Sequence, residues 1–350
     1  MNAAAKTISE TTTTGEQARD EAAPMRALLQ SAYGSTDVLR VGTTSRPSPG
    51  EREVLVEVHA AGIDRGTWHL MTGRPYLMRL MGFGFRTPKN PVLGLDLAGT
   101  VVAVGAKVTR FAPGDEVFGM GKGSFAAFAC AHEDKLARKP PSLSFEHAAV
   151  LGVSGVSAVL ALQEAGVQAG ERVLILGASG GVGTFAVQLA KALGAQVTGV
   201  CSTSKVDLVR SLGADLVLDY TQSDPADGAT RYDVILDIGG GMPLSRLRRA
   251  MTATGRLVFV GNEHGGDWTG GFERPLLAFA LAPFVKQRFI MLVAREHYVE
   301  LEQLLQWMDA GKLRPVIDRH CSLAEVADAL RDMEAGTIRG KVVVTLPRSA

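Results

Sequence analysis

The chain has 350 residues, of which 46% are hydrophobic, and its 37 basic and 36 acidic residues leave a net charge of +1. This length predicts two domains, and the balanced charge gives no reason to expect nucleic acid or an anionic membrane as a partner. No apolar run is long enough to span a bilayer.

The first 24 residues are rich in Ala, Thr and Glu and are predicted to form a disordered tail. They match neither a secretory signal nor an arginine-rich transit peptide. The cysteines Cys130, Cys201 and Cys321 form no Cys-x-x-Cys pair, which favours neither disulfides nor a zinc lobe. A cytoplasmic location is therefore expected.

Residues 25–151 contain short β-rich runs at 26–30, 53–60, 99–105 and 116–119. Turns at Pro49-Gly50 and Pro113-Gly-Asp115 separate some of these runs. Short strands of this kind predict a small β-barrel.

From residue 152 to residue 294 the pattern alternates between strands and helices. Strands are predicted at 173–176, 196–201, 216–219, 234–238, 257–260 and 289–293, with helices at 205–212 and 244–251. This alternation predicts a doubly wound parallel sheet.

A glycine-rich turn joins the first of these strands to a helix. Its residues are Gly177, Ala178, Ser179, Gly180, Gly181, Val182 and Gly183. A buried strand before the turn and an amphipathic helix after it are typical of a dinucleotide-binding turn, where N–H groups at the helix start face a pyrophosphate. Ala178 replaces the first glycine of the usual pattern.

Two helices, at 300–310 and 324–335, follow residue 294, and Ser322 with Glu325 forms a predicted capping box for the second. A last strand at 341–346 is expected to return to the barrel. The barrel domain is thus predicted at 25–151 and 295–350, with the nucleotide domain at 152–294.

These motifs resemble the medium-chain dehydrogenase/reductase superfamily, specifically its zinc-free quinone oxidoreductase branch. The landmarks are 60–64, 94–99, the Pro-Gly-Asp-Glu-Val at 113–117, the turn at 177–183 and the Arg-Gly-Lys-Val-Val at 339–343. The resemblance implies a GroES-like, mostly-β catalytic domain interrupted by a Rossmann domain, with the active site between them.

The three zinc-ligand positions of zinc-dependent relatives hold other residues in this chain. They correspond to Asp64, to Leu95 with Asp96, and to Val153. Leucine and valine carry no lone pair, whereas a catalytic zinc needs three protein ligands. No metal is therefore expected.

The predicted coenzyme is NADPH. The second strand of the nucleotide sheet ends without the acid that binds the ribose of NADH, and the resemblance implies that Ser202, Lys205 and Tyr220 surround a 2′-phosphate. Alternatively, the residues from Ser202 to Ser204 cap the helix that follows them.

The resemblance also implies coenzyme contacts from Ser157, Gly239, Val260, Gly261 and Lys341. The glycines and Val260 end two strands at the carboxyl edge of the sheet, where the nicotinamide should lie. For Lys341, a simple surface charge remains an equal alternative.

Asp64 and Tyr76 are the candidate catalytic residues. A desolvated Asp64 could be protonated and donate a proton, or it could be a structural carboxylate paired with Arg65. Residues 68–85 are rich in Met and aromatic side chains, and could line an acceptor pocket or form core. Tyr76 is the best polar candidate among them, whereas Thr67 stands where close relatives usually carry an acid.

The resulting hypothesis is zinc-independent, NADPH-dependent reduction of a small quinone, enone or enal. The alternative is a non-catalytic NADPH-binding redox sensor or scaffold. A homodimer is expected because residues 289–293 form a predicted apolar edge strand and because family members commonly dimerise in this region.

Overall fold

The computed structural model describes residues 23–80, 84–261, 266–293 and 296–347. Residues 1–22, which make up most of the predicted tail, lie outside the described residues, as do Met81, Gly82 and Phe83. The first strand begins at Pro24, which pairs with Ser45. The predicted tail therefore extends too far at this point.

The first half of the chain is mostly β-structure, as predicted. Its strands are β1 (Pro24–Gln30), β2 (Leu39–Ser45), β3 (Glu53–Ile63), β4 (Asp96–Val104), β5 (Glu116–Met120), β6 (Phe128–His132) and β7 (Leu136–Arg138). β3 is almost entirely half-buried or buried because it is a central strand that pairs with both β4 and β6. The sequence reading missed β2, β6 and β7.

The middle of the chain forms the predicted doubly wound sheet. Its strands are β8 (Arg172–Leu176), β9 (Gln196–Cys201), β10 (Leu216–Asp219), β11 (Tyr232–Asp237), β12 (Met251–Phe259) and β13 (Arg288–Met291). All neighbours are parallel, in the order β10-β9-β8-β11-β12-β13. This order is that of a Rossmann sheet, and it confirms β13 as an edge strand.

The C-terminal segment returns to the first unit, as expected. β15 (Lys341–Thr345) pairs antiparallel with β3, and β14 (Ile317–Cys321) pairs parallel with β15. β14 was missed because its sequence, Ile-Asp-Arg-His-Cys, is largely polar. The capping box of Ser322 and Glu325 is present.

The helices cover both sheets and fill the junction between them. They are α1 (Arg65–Thr72), α2 (Tyr76–Met78), α3 (Phe145–Ala148), α4 (Gly152–Ala165), α5 (Gly181–Ala192), α6 (Val206–Ser211), α7 (Leu244–Ala250), α8 (Glu273–Leu281), α9 (Tyr298–Asp309) and α10 (Val326–Glu334). α4 is apolar on most of its surface, and such a helix must be buried. One hydrophobic core accordingly joins Phe118 and Met120 of the barrel to α4, α5 and Leu304 of α9.

Among the described residues, no helix combines the length and the apolar character needed to cross a bilayer.

Candidate functional site

The glycine-rich turn has the backbone geometry of a dinucleotide-binding turn. Gly177, at the end of β8, has φ +87°, a left-handed conformation that favours glycine. A Cβ on Gly183 would lie 2.1 Å from the Gly177 carbonyl oxygen, so glycine is needed where α5 packs against the turn. Ala178 is fully buried beneath the turn, which explains why a methyl group is accepted there.

The N-terminus of α5 is open to a ligand. Gly180 is the N-cap, and no side chain caps the helix. The first N–H groups of a helix, here from Gly181, Val182 and Gly183, have no intrahelical partner and favour an anion. A Cβ on Gly180 would meet nothing closer than 3.6 Å. This turn can therefore hold a coenzyme pyrophosphate.

The C-terminal segment lies directly against this turn. The Gly340 N–H donates to the Ser179 carbonyl oxygen at 2.9 Å. A Cβ on Gly181 would lie 3.1 Å from Cδ of Lys341 and 2.9 Å from Oγ of Ser154. The Lys341 side chain thus packs beside the predicted phosphate-binding turn.

Lys341 is a buried member of a charge cluster, which excludes the surface-charge alternative. Its side chain is 1% exposed, and its Nζ donates to Oδ2 of Asp96 and to Oγ of Ser154, each at 3.1 Å. Oδ1 of Asp96 accepts the Val153 N–H at 2.7 Å. Burial raises the pKa of Asp96 to about 7, although the Lys341 ammonium opposes this increase.

Asp64 begins α1 and is also buried. Its Oδ1 accepts the Thr67 N–H at 2.8 Å and the Thr67 hydroxyl at 3.4 Å, so its structural partner is Thr67. Among the described residues, its buried Oδ2 has no hydrogen-bond partner. Burial raises the pKa of Asp64, whereas Lys341 and Thr67 lower it. A protonated Oδ2 could therefore donate a hydrogen bond or a proton to a ligand.

The end of β9 holds the residues expected around a ribose phosphate. Ser202 makes no side-chain capping hydrogen bond, so it does not cap the turn that follows. Tyr220 is exposed, and its N–H donates to the carbonyl oxygen of Cys201 at the end of β9. Lys205 is buried, and its Nζ donates to the carbonyl oxygens of Gly336 and Ile338 at 2.7 and 2.6 Å. Its ammonium therefore holds the C-terminal segment.

Sequence reasoning missed two charged residues at this end of the site. The Arg339 guanidinium donates to the carbonyl oxygen of Ser204. Asp219, at the end of β10, accepts the Thr203 hydroxyl at 2.6 Å, which lowers the pKa of this carboxyl group. Arg339 belongs to the motif at 339–343, so the sequence could have identified it as a site residue. Asp219 could be identified only once the pairing of β9 with β10 was known.

The expected nicotinamide end is built on β11 and β12. A Cβ on Gly239 would make only ordinary van der Waals contacts, the nearest with Cα of Gly177 at 3.9 Å. The N–H groups of Val260 and Gly261 donate to the carbonyl oxygen of Asp237 at 3.0 and 3.2 Å. Ser157 lies within α4, and its hydroxyl donates to the Val153 carbonyl oxygen of the same helix at 2.7 Å.

Sequence reasoning also missed an ion pair between Asp237, at the end of β11, and Arg274 of α8. The Asp237 carboxylate is fully buried and accepts from Arg274 of α8 at 2.5 Å and from the Gly240 N–H at 3.2 Å. Arg274 also donates to the Met242 carbonyl oxygen at 2.7 Å. The pair therefore fixes the loop that follows β11.

Tyr76 lies at a contact between the catalytic unit and the nucleotide unit. It takes no part in the hydrogen bonds from Thr67 that hold Asp64. Its N–H donates to the Asp267 carbonyl oxygen at 2.8 Å, and its ring meets the Trp268 ring edge-on at 5.3 Å. Arg74 pairs with Asp267 at 3.2 Å. Elsewhere in the predicted acceptor segment, Met71 is core and Phe85 is exposed.

Among the described residues, no three His, Cys, Asp or Glu side chains are grouped closely enough to hold a metal ion. All three cysteines are unpaired and buried, and burial raises the pKa of Cys130 to about 12 and those of Cys201 and Cys321 to about 11. These thiols are therefore poor nucleophiles.

Two family models match the chain. Residues 50–141 match the alcohol dehydrogenase GroES-like domain, and residues 212–344 match a domain described as zinc-binding dehydrogenase.

Curated relatives match nearly the whole chain. The chloroplastic quinone-oxidoreductase QR1 of Triphysaria versicolor is 32% identical over 91% of this chain and 98% of its own length. The 2-methylene-furan-3-one reductase of Solanum lycopersicum is 31% identical over 91% of this chain and 79% of its own length. The mitochondrial NAD(P)H oxidoreductase RTN4IP1 of Mus musculus is 33% identical over 92% and 89%.

The solved structure of the quinone oxidoreductase from Coxiella burnetii has the same fold. It matches with a TM-score of 0.83 at 28% identity, over 93% of this chain and 100% of that one.

The names of these relatives correct the prediction of a cytoplasmic location. QR1 is named as a chloroplastic protein and RTN4IP1 as a mitochondrial one, and these names contradict the prediction. The composition of residues 1–24 was therefore a poor basis for assigning a compartment.

Proposed function

Because the chain belongs to the medium-chain dehydrogenase/reductase superfamily, in its zinc-free, quinone-oxidoreductase-like branch, we propose that this NAD(P)H oxidoreductase uses NADPH to reduce a conjugated carbonyl compound. Quinones, enones and enals are the acceptor class. The observation that carries the proposal is the position of Lys341, which lies beside Gly181 of the glycine-rich turn and is paired with the buried carboxyl group of Asp96.

The residues at the carboxyl edge of the sheet fit a dinucleotide. The N–H groups of Gly181, Val182 and Gly183 would hold the pyrophosphate, and Gly239, which has no side chain to block a ligand, would lie at the nicotinamide end. Ser202, Tyr220 and Arg339 would surround the adenosine ribose. The Arg339 guanidinium favours a 2′-phosphate, because its planar fork suits phosphate oxygens.

When bound, the coenzyme supplies the hydride. The protein must then neutralise the charge that develops on the acceptor and supply a proton. Asp64 is the candidate donor, because its raised pKa keeps it protonated to a higher pH than an ordinary aspartate and because its Oδ2 has no hydrogen-bond partner among the described residues. Conjugation delocalises negative charge, so such acceptors need less electrophilic assistance than an unactivated carbonyl.

The donor set supports a mechanism without zinc. Two of the positions that zinc-dependent relatives use hold Leu95 and Val153, which cannot be ligands. Asp64 caps α1, and Asp96 is bound to Lys341. The carboxylates at these positions therefore have other partners.

The test is NADPH oxidation, followed by absorbance, with a panel of quinones, enones and enals before and after treatment with a chelator. The proposal expects turnover that the chelator does not change and a higher kcat/KM with NADPH than with NADH. Activity that depends on zinc would contradict it. Binding of NADPH without turnover across the panel would favour the redox-sensor alternative.

A further inference from the structure

The edge of the nucleotide sheet opposite the predicted coenzyme site carries a row of arginines. β8, β11, β12 and β13 are parallel neighbours, so their first residues meet at one edge. Arg172 and Arg288 are the first residues of β8 and β13, Arg231 precedes β11, and Arg249 precedes β12 by two residues. Coenzymes bind such sheets at the carboxyl ends of the strands, so this amino edge is a separate surface.

Four arginines line a cavity at this edge. Its volume is about 900 Å³, and Arg172, Arg231, Arg248 and Arg249 line it together with Gln287 and a few small or neutral side chains. No Asp or Glu is among its lining residues. In a chain with a net charge of +1, this is a strong local excess of positive charge.

Most of this charge has no carboxylate partner. Within the described ranges, neither Arg231 nor Arg249 forms an ion pair, and Nε of Arg248 donates to the neutral Gln287 at 3.0 Å. The Arg172 guanidinium is 3.9 Å from Oδ2 of Asp233, which is long for an ion pair. The Arg249 charge contributes to the lowered pKa of the Asp224 carboxyl group. Asp224, however, forms its ion pair with Arg246.

The geometry fits an extended polyanion. Neighbouring strands are about 4.8 Å apart, so the arginines that line the cavity, from β8 to β12, span two gaps, or about 10 Å. Guanidinium groups bind phosphate oxygens in bidentate pairs, and a cavity of this volume is typical of small-molecule sites. We propose that the amino edge binds a small molecule with two or more phosphate groups. This site is independent of the proposed reductase activity.

The experiment is calorimetric titration of the full chain with inorganic tripolyphosphate and, separately, with ATP, both in the presence of saturating NADP⁺. The NADP⁺ fills any coenzyme site, so that only binding elsewhere is measured. One-site binding that weakens with ionic strength is expected. A tighter fit for ATP would assign the ligand as a nucleotide, and equal affinities would mean that only the phosphates are recognised.

The test variant is Arg231→Gln combined with Arg249→Gln, because neither side chain forms an ion pair with another described residue. About a tenfold or greater loss of tripolyphosphate affinity is expected, as for the loss of a charge-assisted hydrogen bond. The matched control is Arg288→Gln, at the same edge but outside the cavity lining, which should retain affinity within about threefold.

Three results would overturn the proposal. They are an absence of tripolyphosphate binding by the unmodified protein, an equal loss in the Arg288→Gln control, and tighter binding of a single-stranded oligonucleotide than of either small probe. The last would assign the surface to nucleic acid.

Discussion

The Lys341 ammonium acts on two buried carboxyl groups, and one positive charge cannot neutralise both. It lies 3.1 Å from Asp96 and also lowers the pKa of Asp64, while the Asp64 charge raises the pKa of Asp96. Burial therefore raises the pKa of both carboxyl groups, and that of Asp96 reaches about 7. This makes a proton available beside the predicted coenzyme turn.

Asp64→Asn should lower kcat by about 10²-fold if Asp64 donates the proton. Asparagine is also a good N-cap, so α1 and the KM for NADPH should change little. In the unmodified protein, kcat should fall as the pH rises through the raised pKa of Asp64, because only the protonated acid donates. Measured pH–rate profiles check this; an unchanged kcat with the same pH profile in the variant would remove Asp64 from the chemistry.

Lys341→Met should destabilise the protein by about 3 to 5 kcal/mol near pH 8, because two buried carboxyl groups lose their counter-ion. The loss should be smaller near pH 5. There the carboxyl group of Asp96, whose pKa in the native protein is already about 7, is protonated and needs no counter-ion. Urea unfolding at both pH values measures this difference, with exposed Lys286→Met as the control. A loss independent of pH would mean that packing, and not charge, is what Lys341 contributes.

Arg339→Gln should reduce kcat/KM for NADPH by about tenfold, as for a lost charge-assisted bond, and leave the value for NADH almost unchanged. The reason is that its guanidinium lies at Ser204, beside the end of β9. Asp219→Asn is the complementary variant, because it removes a negative charge from the same region and should raise NADPH use. Parallel losses with both coenzymes in Arg339→Gln would contradict this assignment.

The sequence predicted Asp64 as a site residue but could not show that Lys341 is buried. Asp96 and Ser154, the partners of Lys341, lie 245 and 187 positions away in the chain. No local pattern reports a contact of that range. The same reason explains why the pairs of Arg274 with Asp237 and of Arg339 with Ser204 were missed.

At the scale of elements, the parallel strands were predicted better than the barrel strands. β9 was predicted with its observed bounds, because a strand buried on both faces gives a continuous apolar run. The bounds of β10, an edge strand that is only partly buried, were also predicted correctly, from its short run of Leu and Val. β7 has three residues, and β14 alternates polar with partly buried residues. Their stability comes from long-range pairing, which a local pattern does not record.

Two glycines of the turn should respond differently to alanine. Gly180→Ala should leave the free energy of unfolding almost unchanged, since φ is −83° and the added Cβ would make only an ordinary contact at 3.6 Å, but it should weaken NADPH binding by about tenfold. Gly183→Ala should cost about 1 to 3 kcal/mol, because its Cβ would overlap the Gly177 carbonyl oxygen. Denaturant unfolding and NADPH titration measure the two effects. Unchanged NADPH affinity in Gly180→Ala would place the coenzyme elsewhere.

At the scale of the whole molecule, the two units are joined beside the candidate site. Residues 336–341 of the catalytic unit bind Lys205, Ser204 and Ser179 of the nucleotide unit. Arg74 and Tyr76 contact Asp267 at a second place. A ligand at the glycine-rich turn would therefore contact an element that both units hold, which links coenzyme binding to their relative orientation.

The two edges of the nucleotide sheet lead to a prediction about assembly. β13 is one edge, and apolar side chains are exposed there and on α8, namely Met291, Val293, Leu276 and Leu277. An uncovered apolar edge is a template for pairing, so we expect a homodimer formed through β13, with twice the mass of one chain in light scattering.

Met291→Lys combined with Val293→Lys should convert this homodimer to monomers, because charges on an edge strand oppose pairing. The control is Leu216→Lys on β10, the opposite edge strand, where Leu216 is also exposed. It should stay dimeric, and both variants should still bind NADPH, because the glycine-rich turn is unchanged. A monomeric unmodified protein would refute the assembly, and dissociation by Leu216→Lys alone would move the interface to β10.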